Sequence, residues 1–226
     1  MKKRKLINSS HGIAAAGATL FLTAAHGHAQ FANNFYIGAD AGGSFQQSVS
    51  IMDNTGFGGS GGDIKFQTGW NTGGYVGYKF CDYFSAQLDS GIVWNNLTVI
   101  GNQTLSGVAA AHLEEVPLLV NGIFTFPLGN FKPYAGVGVG TVFGILNGDN
   151  IPGSGPPPNP TYHDTDATFA YQVQVGLGYA VTKHIDLAVA YKFMGTTDHN
   201  WNDNNISLKT SGTMTHMLEA SVTWRF

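Results

Sequence analysis

Strict alternation of apolar and polar side chains is the sequence feature that most constrains this chain. In the closing stretch "LEASVTWRF" every second residue is apolar, and charged or hydroxyl side chains stand between the apolar positions. Successive side chains of a β-strand point to opposite faces, so this period predicts a strand with one apolar and one polar face. Similar stretches recur along the chain, whereas no segment after Gln30 carries a sustained 3.6-residue stripe.

The alternation predicts eight strands joined by alternately short and long connections. The strands are expected near 34–45, 69–80, 83–94, 113–126, 132–143, 168–180, 185–193 and 214–226. The long connections, near 46–65, 95–107, 144–167 and 194–212, are rich in Gly, Asn, Asp, Ser and Pro, and the first is expected to be a flexible surface loop. The sequence therefore predicts an all-β fold, an eight-stranded antiparallel up-and-down β-barrel with all long loops at one end. Pro117 cannot donate a ladder hydrogen bond and predicts a weak point or bulge in the fourth strand.

Composition and aromatic placement indicate what the apolar face touches. Charged residues make up only 11% of the chain against 43% hydrophobic ones, and a soluble protein usually has about a quarter charged. On the apolar face the large rings cluster at the strand ends, and aliphatic or small residues lie between them. The short-turn set is Phe35, Tyr78, Phe80, Phe84, Phe126, Tyr179, Trp224 and Phe226, and the long-loop set is Phe45, Trp70, Trp94, Phe143, Phe169, Tyr171, Tyr191 and Phe193. Two aromatic rings around an aliphatic band predict a transmembrane barrel whose apolar face meets lipid; the alternative is a soluble sandwich or lipocalin-like barrel with an apolar interior.

Residues 1–29 have the organisation of an export signal. "MKKRK" is basic, "GIAAAGATLFLTAA" is a short apolar run and "GHA" precedes Gln30. The prediction is a signal peptide at 1–29 and a barrel domain at 30–226, with a buried N-terminal helix as the alternative. Removing four of the 11 Lys and Arg residues leaves 7 against 14 Asp and Glu, a net charge near -7. We therefore expect no nucleic-acid partner. The single cysteine, Cys81, forms no intramolecular disulfide.

The stretches "GGYVGYKF", "EVPLLVNGIFTFPL", "KPYAGVGVG", "GLGYAVTKHIDLAVAYKF" and "SVTWRF" resemble the eight-stranded outer-membrane barrels of Gram-negative bacteria. The chain is similar to the barrel domain of outer membrane protein A, without its peptidoglycan-binding domain. It is more closely similar to single-domain surface antigens labelled "porin family" or "outer membrane protein beta-barrel domain". The resemblance implies a cell outer membrane location with both termini periplasmic, contact with outer-membrane lipids and lipopolysaccharide, and a C-terminal signal, Trp224 and Phe226, for the barrel-assembly machinery.

The polar face, taken as inward, predicts a charge network in the lumen. Its members are Asp40, Lys79, Asp89, Glu115, Asp186, Lys192, Glu219 and Arg225, with the amides Gln87, Asn121, Gln172 and Gln174. Because an isolated buried charge is costly, Lys79, Lys192 and Arg225 are each expected to pair with one of the carboxylates. Structural filling of the lumen is the main interpretation, and a narrow gated ion path is the alternative.

Other motifs give weaker indications of chemistry. The glycines of "AGVGVG" alternate within a strand, so they are expected to make room for large neighbours such as Tyr75 and Tyr134 rather than to bind phosphate. His163 and His199 lie beside aspartates in long loops, but their spacing matches no defined metal site and they are expected to be solvated. "MGTTDHNW" lacks the His-x-Ser spacing that the resemblance would require of a lipid A deacylase. The sequence therefore predicts a non-enzymatic, cofactor-free protein with a structural and surface-interaction role, whose loops contact a host or surface ligand. A small-solute or ion channel and a lipid A-modifying enzyme are the alternatives.

Overall fold

Thirteen β-strands account for most of the described chain. The computed structural model describes residues 34–55, 61–101, 103–105, 110–149, 162–203 and 206–226, so the predicted signal peptide lies outside the described residues. The strands are β1 (Phe35–Gln46), β2 (Val49–Thr55), β3 (Asp63–Phe66), β4 (Gly69–Cys81), β5 (Phe84–Gly101), β6 (Gln103–Thr104), β7 (Ala110–Thr125), β8 (Phe131–Asp149), β9 (Tyr162–Ala180), β10 (Ile185–Thr196), β11 (His199–Asp203), β12 (Ile206–Thr210) and β13 (Met214–Arg225).

Eight of these strands close into a ring. In order around the ring they are β1, β4, β5, β7, β8, β9, β10 and β13, and every pairing is antiparallel. Closure is made by β1 and β13, which pair from Tyr36 with Arg225 to Gln46 with Thr215. This ring confirms the predicted eight-stranded antiparallel up-and-down barrel. Closure matters because it leaves no strand edge unpaired, and hydrocarbon offers an exposed edge no hydrogen bonds.

The two ends of the barrel differ, as the connection lengths predicted. At one end, here the turn end, short turns join β4 to β5, β7 to β8 and β9 to β10. The first and last strands also meet there, where the Phe226 amide donates to the Phe35 carbonyl over 3.2 Å. The connections that leave the opposite end, the loop end, contain β2, β3, β6, β11 and β12.

Exposure shows which face points outward. Apolar residues of the predicted lipid face are open to the surroundings, for example Leu218 at 61%, Val189 at 58% and Val139 at 54%. Residues of opposite parity are buried in the lumen, with Asn121 at 0% and Gln172 at 3% exposed. A soluble barrel with an apolar interior is excluded by this arrangement, because its aliphatic face would be inside. Within the described ranges no helix is long and apolar enough to cross a membrane.

Pro117 interrupts one side of its strand. The β5–β7 ladder pairs Ser90 with Leu118 and Val93 with Glu115, and it skips the residues between. On the other side of β7, Pro117 is paired in regular register with Val142 of β8. The missing proline N–H accounts for a gap on one side only, because each strand residue directs its N–H toward a single neighbour.

The loop end is more ordered than the sequence predicted. β5 continues beyond Trp94 to Gly101, β8 continues beyond Phe143 to Asp149, and β9 begins at Tyr162. In the predicted flexible first loop, β2 pairs with β3 and with β12 of the last loop, and β3 pairs with the end of β5. We call these loop strands, β2, β3, β6, β11 and β12, the canopy. These strands were not predicted from the sequence, because most of their pairing partners come from other segments and leave no local periodic signal.

An apolar cluster holds the canopy together. Its buried members are Val49, Ile64, Leu97, Ala111, Leu113, Leu146, Trp201 and Leu208. They come from four canopy strands, β2, β3, β11 and β12, and from the extended ends of β5, β7 and β8, with Trp201 on β11 only 3% exposed. The canopy therefore has a small hydrophobic core of its own above the barrel.

Candidate functional site

The lumen charges predicted from the sequence fall into separate groups rather than one network. Lys192 lies at the centre of the first group, with three carboxylates around its ammonium: Asp40 Oδ2 at 3.3 Å, Asp89 Oδ2 at 3.1 Å and Glu219 Oε2 at 2.8 Å. We call these four residues the central cluster. All four side chains are at most 8% exposed. One buried cation therefore faces three buried acids, and removing it would leave them uncompensated.

A second group lies at the turn end and contains a cation that the sequence analysis did not include. Asp186 accepts from Arg225 Nη2 at 2.7 Å and from Lys132 Nζ at 2.9 Å. Lys132 could have been found from its parity, because it lies two positions before the inward Tyr134 in the same strand. Asp186 and Arg225 therefore meet each other, but they do not touch the central cluster.

Lys79 joins neither group. Its Nζ lies 2.7 Å from Asp82 Oδ1 in the turn between β4 and β5. Both side chains are well exposed, and this hydrogen bond lowers the pKa of the Asp82 carboxyl below its usual value. An exposed pair of this kind contributes little to stability because water and salt screen it.

Glu115 is buried near the loop end, where two threonine hydroxyls hydrogen-bond to its carboxylate. Its Oε1 accepts from Thr213 Oγ1 at 2.6 Å, and its Oε2 accepts from Thr215 Oγ1 at 3.3 Å. The side chain is 1% exposed. Hydroxyl donors, rather than a salt bridge, thus satisfy this acid.

An apolar layer separates Glu115 from the central cluster. It consists of Val93, Leu119, Val142, Ala170, Met194 and Met217, all buried. Met194 and Met217 lie one inward position closer to the loop end than Lys192 and Glu219. The expected all-polar lumen is therefore interrupted. The run "VPLLV" carried the signal, since consecutive leucines place one apolar side chain on each face.

Below the central cluster the lumen opens into a cavity of about 230 Å³. Its ceiling includes Asp40, Lys192 and Glu219, and its lining reaches Cys81, Asp82 and Pro127 in the exposed turns. We call it the turn-end cavity. Three tyrosine rings contribute to its wall: Tyr36, Tyr75 and Tyr134.

Each of these tyrosines lies against an inward glycine of the neighbouring strand. A Cβ added at Gly77 would come within 2.0 Å of the Tyr36 ring, one at Gly38 within 2.2 Å of Tyr75, and one at Gly176 within 2.4 Å of Tyr134. The hydroxyls of Tyr36 and Tyr75 are also bonded, to Ser85 Oγ at 3.0 Å and to Thr223 Oγ1 at 2.6 Å. Gly38 and Gly176 thus make room for Tyr75 and Tyr134, a role that was predicted from the sequence for the glycines of "AGVGVG". The glycines of "AGVGVG" instead face Ile123, Asn121 and the Leu118 backbone.

His199 is buried rather than solvated. It is 0% exposed, stacks on Trp201 at a centroid distance of 4.9 Å, and its Nε2 lies 3.2 Å from Thr196 Oγ1. Its Nδ1 lies 3.4 Å from Asp166 Oδ2, too poorly aligned for a hydrogen bond. Burial lowers the pKa of the His199 imidazole, and the nearby Asp166 and Asp198 carboxylates offset only part of this effect. The prediction that this loop histidine is solvated was wrong, because the canopy encloses it.

No metal centre is assembled in the part of the chain that the structure describes, where no three His, Cys, Asp or Glu side chains are arranged to hold an ion. His163 is exposed and its Nδ1 hydrogen-bonds to Asn147 Oδ1. Cys81 is exposed with a free thiol.

A family comparison assigns the chain. The protein family described as "Outer membrane protein beta-barrel domain" matches residues 14–226 of the chain. The chain belongs to this outer-membrane β-barrel family. No curated protein sequence matches the chain significantly.

Solved structures similar to this outer-membrane barrel support the fold. OprG from Pseudomonas aeruginosa is 15% identical, with 86% of this chain and 97% of OprG covered and a TM-score of 0.57. The outer membrane protein AlkL is 14% identical, with 88% and 93% covered and a TM-score of 0.55. At such identities the likeness shows the fold alone.

The aromatic rings of this outer-membrane barrel form bands on its lipid face. At the turn end, rings follow one another from Phe35 to Tyr78 to Phe80, with centroids about 5 Å apart. At the loop end Trp70 stacks on Trp94, and Tyr191 and Phe193 flank His216. Rings of this kind lie at the two membrane interfaces, which fits the outer-membrane location of the family.

The predicted assembly residues lie in the turn-end band. Trp224 and Phe226 are 46% and 51% exposed on the outer face, and Trp224 stacks on His184. Phe126 lies at the same end with 59% exposure. Trp224 and Phe226 are therefore accessible from the lipid side, like other members of the band.

Proposed function

We propose that this outer-membrane barrel is a non-enzymatic structural protein that presents its canopy at the cell surface for contacts and contributes to outer-membrane integrity. The observation that carries the proposal is the difference between the ends of the molecule. The loop end has a packed canopy, and the apolar layer and central cluster fill the lumen beneath it. A barrel built in this way serves better as an anchor for a surface platform than as a conduit.

Charge indicates the kind of surface the canopy side would contact. The four long connections contain seven aspartates and two lysines, a net charge of −5. Such a surface favours basic or cation-bridged partners and repels polyanions. Lipopolysaccharide is the neighbouring lipid at this end, and divalent cations would bridge its phosphates to these aspartates.

The platform role is tested in a strain that lacks the protein. Complementation uses the wild-type chain and a variant in which residues 198–211 are replaced by a short Gly-Ser turn, which removes β11 and β12. We expect deletion to increase uptake of a large hydrophobic antibiotic and to reduce adhesion to a positively charged surface. The truncated protein should restore the permeability barrier but not adhesion. Full restoration of adhesion by the truncated protein would contradict the canopy's role.

The proposed orientation, with both termini in the periplasm, puts Cys81 on the periplasmic side. A large membrane-impermeant maleimide added to intact cells should leave Cys81 unlabelled, because the free thiol lies at the turn end. A Cys81→Ser, Met52→Cys variant should be labelled, since Met52 is 56% exposed in β2. Labelling of Cys81 but not of position 52 would reverse the orientation.

A narrow ion path is the second candidate, favoured by the open turn-end cavity. The apolar layer argues against steady conduction, since an ion would have to leave water to pass it. We expect brief, small conductance events at most in planar bilayers. A large and steady conductance would replace the structural role with a channel.

Catalysis is not part of the proposal. Asp166, His199 and Thr196 have the chain of contacts of an acid, a base and a hydroxyl nucleophile. His199 is fully buried, however, and the Thr196 hydroxyl is already engaged with Thr213 at 3.0 Å. Lipid A from cells with and without the protein should therefore have the same mass spectrum.

For the barrel-assembly machinery we propose Phe226 and Trp224 as the recognised residues. Phe226→Ala should lower the amount of protein inserted in the outer membrane, whereas Phe126→Ala, which removes a ring from the same aromatic band, should lower it much less. An equal loss of inserted protein in the two variants would show that Phe226 acts only as a residue of the aromatic band.

A further inference from the structure

The turn-end cavity has a charge and shape that the surface role does not use. We propose that it binds a small organic ammonium compound with a hydroxyl group, an amino alcohol, which enters from the turn end and places its cationic group beside Asp40 and Glu219. The site does not depend on the canopy, so its failure and the failure of the surface role give different results.

The central cluster gives the cavity its negative ceiling. Three carboxylates surround the Lys192 ammonium, and when all are ionised the cluster carries two more negative than positive charges. Asp40 and Glu219 also line the turn-end cavity, so the excess charge faces accessible space. A bound cation would offset charge that is otherwise costly to bury.

An unpartnered acceptor lies beside the same carboxylates. Asn71 is 4% exposed, its Nδ2 donates to Glu219 Oε1 at 2.5 Å, and its Oδ1 has no hydrogen-bond partner. Asn71 lines a second, small space of about 20 Å³ together with all four residues of the central cluster. Asn71 does not line the turn-end cavity itself, so its free oxygen adds to the negative character around the central cluster rather than contacting the ligand.

The aromatic wall favours an organic cation over a metal ion. Tyr36, Tyr75 and Tyr134 line the cavity, and their rings are positioned by the glycines they lie against. Ammonium groups are attracted to aromatic ring faces. The carboxylates instead converge on the Lys192 ammonium, and among the described residues no set of acids is arranged for a metal ion.

Two further features limit the size and polarity of the ligand. The cavity volume of about 230 Å³ is smaller than that of sites for drug-sized molecules, which begin near 300 Å³. Gln174, 3% exposed, lines the cavity and its Nε2 lacks an acceptor. A hydroxyl oxygen on the ligand would supply that acceptor. Choline and ethanolamine have both the charge and the hydroxyl, and they fit the volume.

The test is calorimetric titration of the full, detergent-purified protein with choline and with ethanolamine. Glycerol, which has hydroxyls but no charge, and acetate, which has the opposite charge, are the controls. We expect saturable binding of both ammonium compounds, weakened by added salt, and none of the controls. Failure of both ammonium compounds to bind, or equal binding of glycerol, would overturn the proposal.

Variants locate the site. Ala188→Phe fills the cavity without changing charge, because Ala188 lines it, and should weaken binding at least about tenfold. Ala39→Phe places the same ring on the exposed outer face and should bind as the wild type does. Glu219→Gln should weaken binding similarly, whereas Asp63→Asn, an equal charge change in the canopy, should not.

Folding is checked for each variant by circular dichroism and by its heat-dependent migration in gels. Ala188→Phe leaves the central cluster intact, so it tests the site even if Glu219→Gln fails to fold. Unchanged binding in a folded Ala188→Phe protein would place any choline site outside the turn-end cavity and would overturn the proposal.

Discussion

The two halves of the barrel interior follow the same alternation but are filled differently. Toward the turn end, inward positions hold tyrosines, glycines and ion pairs around an open cavity. Toward the loop end they hold an apolar layer, hydroxyl-bonded Glu115 and a canopy with its own core. The same strand pattern therefore encloses both the open turn-end cavity and the densely packed apolar layer. The size of the inward side chains determines whether a level of the lumen is open or filled.

The difference follows from the cost of filling a narrow barrel. An eight-stranded barrel has an interior that side chains roughly fill. Where glycines lie beside large rings, as with Gly38 and Tyr75, the ring rests against the wall and leaves space in the middle. Nearer the loop end, Met194 and Leu119 belong to the buried apolar layer that fills the lumen. The central cluster lies between the turn-end cavity and the apolar layer.

Removing Lys192, the cation of the central cluster, should have the largest effect on stability. Lys192→Met leaves three buried carboxylates without their cation and should lower the free energy of unfolding by about 3–5 kcal/mol. Urea unfolding in detergent micelles, followed by tryptophan fluorescence, measures the change. Lys79→Met, which breaks only the exposed pair with Asp82, is the matched control and should unfold like the wild type. A Lys192→Met protein as stable as the control would show that the central cluster does not stabilise the barrel.

Creating a cavity in the apolar layer should have the next largest effect on stability. Leu119→Ala leaves a cavity in the apolar layer and should cost about 2–5 kcal/mol of stability. Leu118→Ala removes the same atoms from the lipid face, where Leu118 is 46% exposed, and should cost less. The two variants are compared by urea unfolding and by conductance in planar bilayers. Equal losses of stability would contradict the assignment of Leu119 to a packed apolar layer.

Loosening the canopy should leave the barrel almost unchanged. Trp201→Ala removes the largest buried side chain of the canopy cluster, so protease should cut β2, β3, β11 or β12 at least about tenfold faster. The unfolding midpoint of the barrel should stay within error, because the ring of eight strands does not include β11. Met52→Ala, an exposed change in β2, is the control. A large fall in the barrel midpoint would mean that canopy and barrel unfold as one unit.

Acid should produce the smallest effect, confined to the canopy. The pKa of His199 is lowered from 6.5 by burial, so the unfolded canopy binds more protons than the folded one below that pH. Its stability is full above pH 6.5 and should decrease as pH falls from there toward the folded pKa. Hydrogen exchange of β11 and β12 amides between pH 7.5 and about 5 measures this decrease. The slope should be flatter in His199→Gln, and identical slopes would remove His199 as its cause.

Much of the barrel could be predicted from the sequence because its signal is local. Alternation assigned Leu218 to the lipid face and Glu219 to the lumen, and it located all eight barrel strands. Connection lengths identified the two ends. These properties depend only on neighbouring residues, because a strand turns each successive side chain to the opposite face.

The contacts within the lumen depended on closure. Lys192 meets Asp40 across 152 positions of sequence, and that meeting requires the register of several ladders. Lys132 reached Asp186, and Lys79 turned to Asp82, for the same reason. Parity by itself fixed the face of each residue, but its neighbours were set by the stagger between strands.

The canopy was decided by tertiary structure. β2 and β12 pair with each other although they lie in the first and last loops, and Trp201 and His199, in the strand next to β12, are buried. The sequence determined a lipid-facing barrel with a polar parity inside, because a membrane imposes that pattern on every strand. Contacts between side chains of distant strands formed the apolar layer, the turn-end cavity and the canopy. A two-residue period carries no information about such contacts.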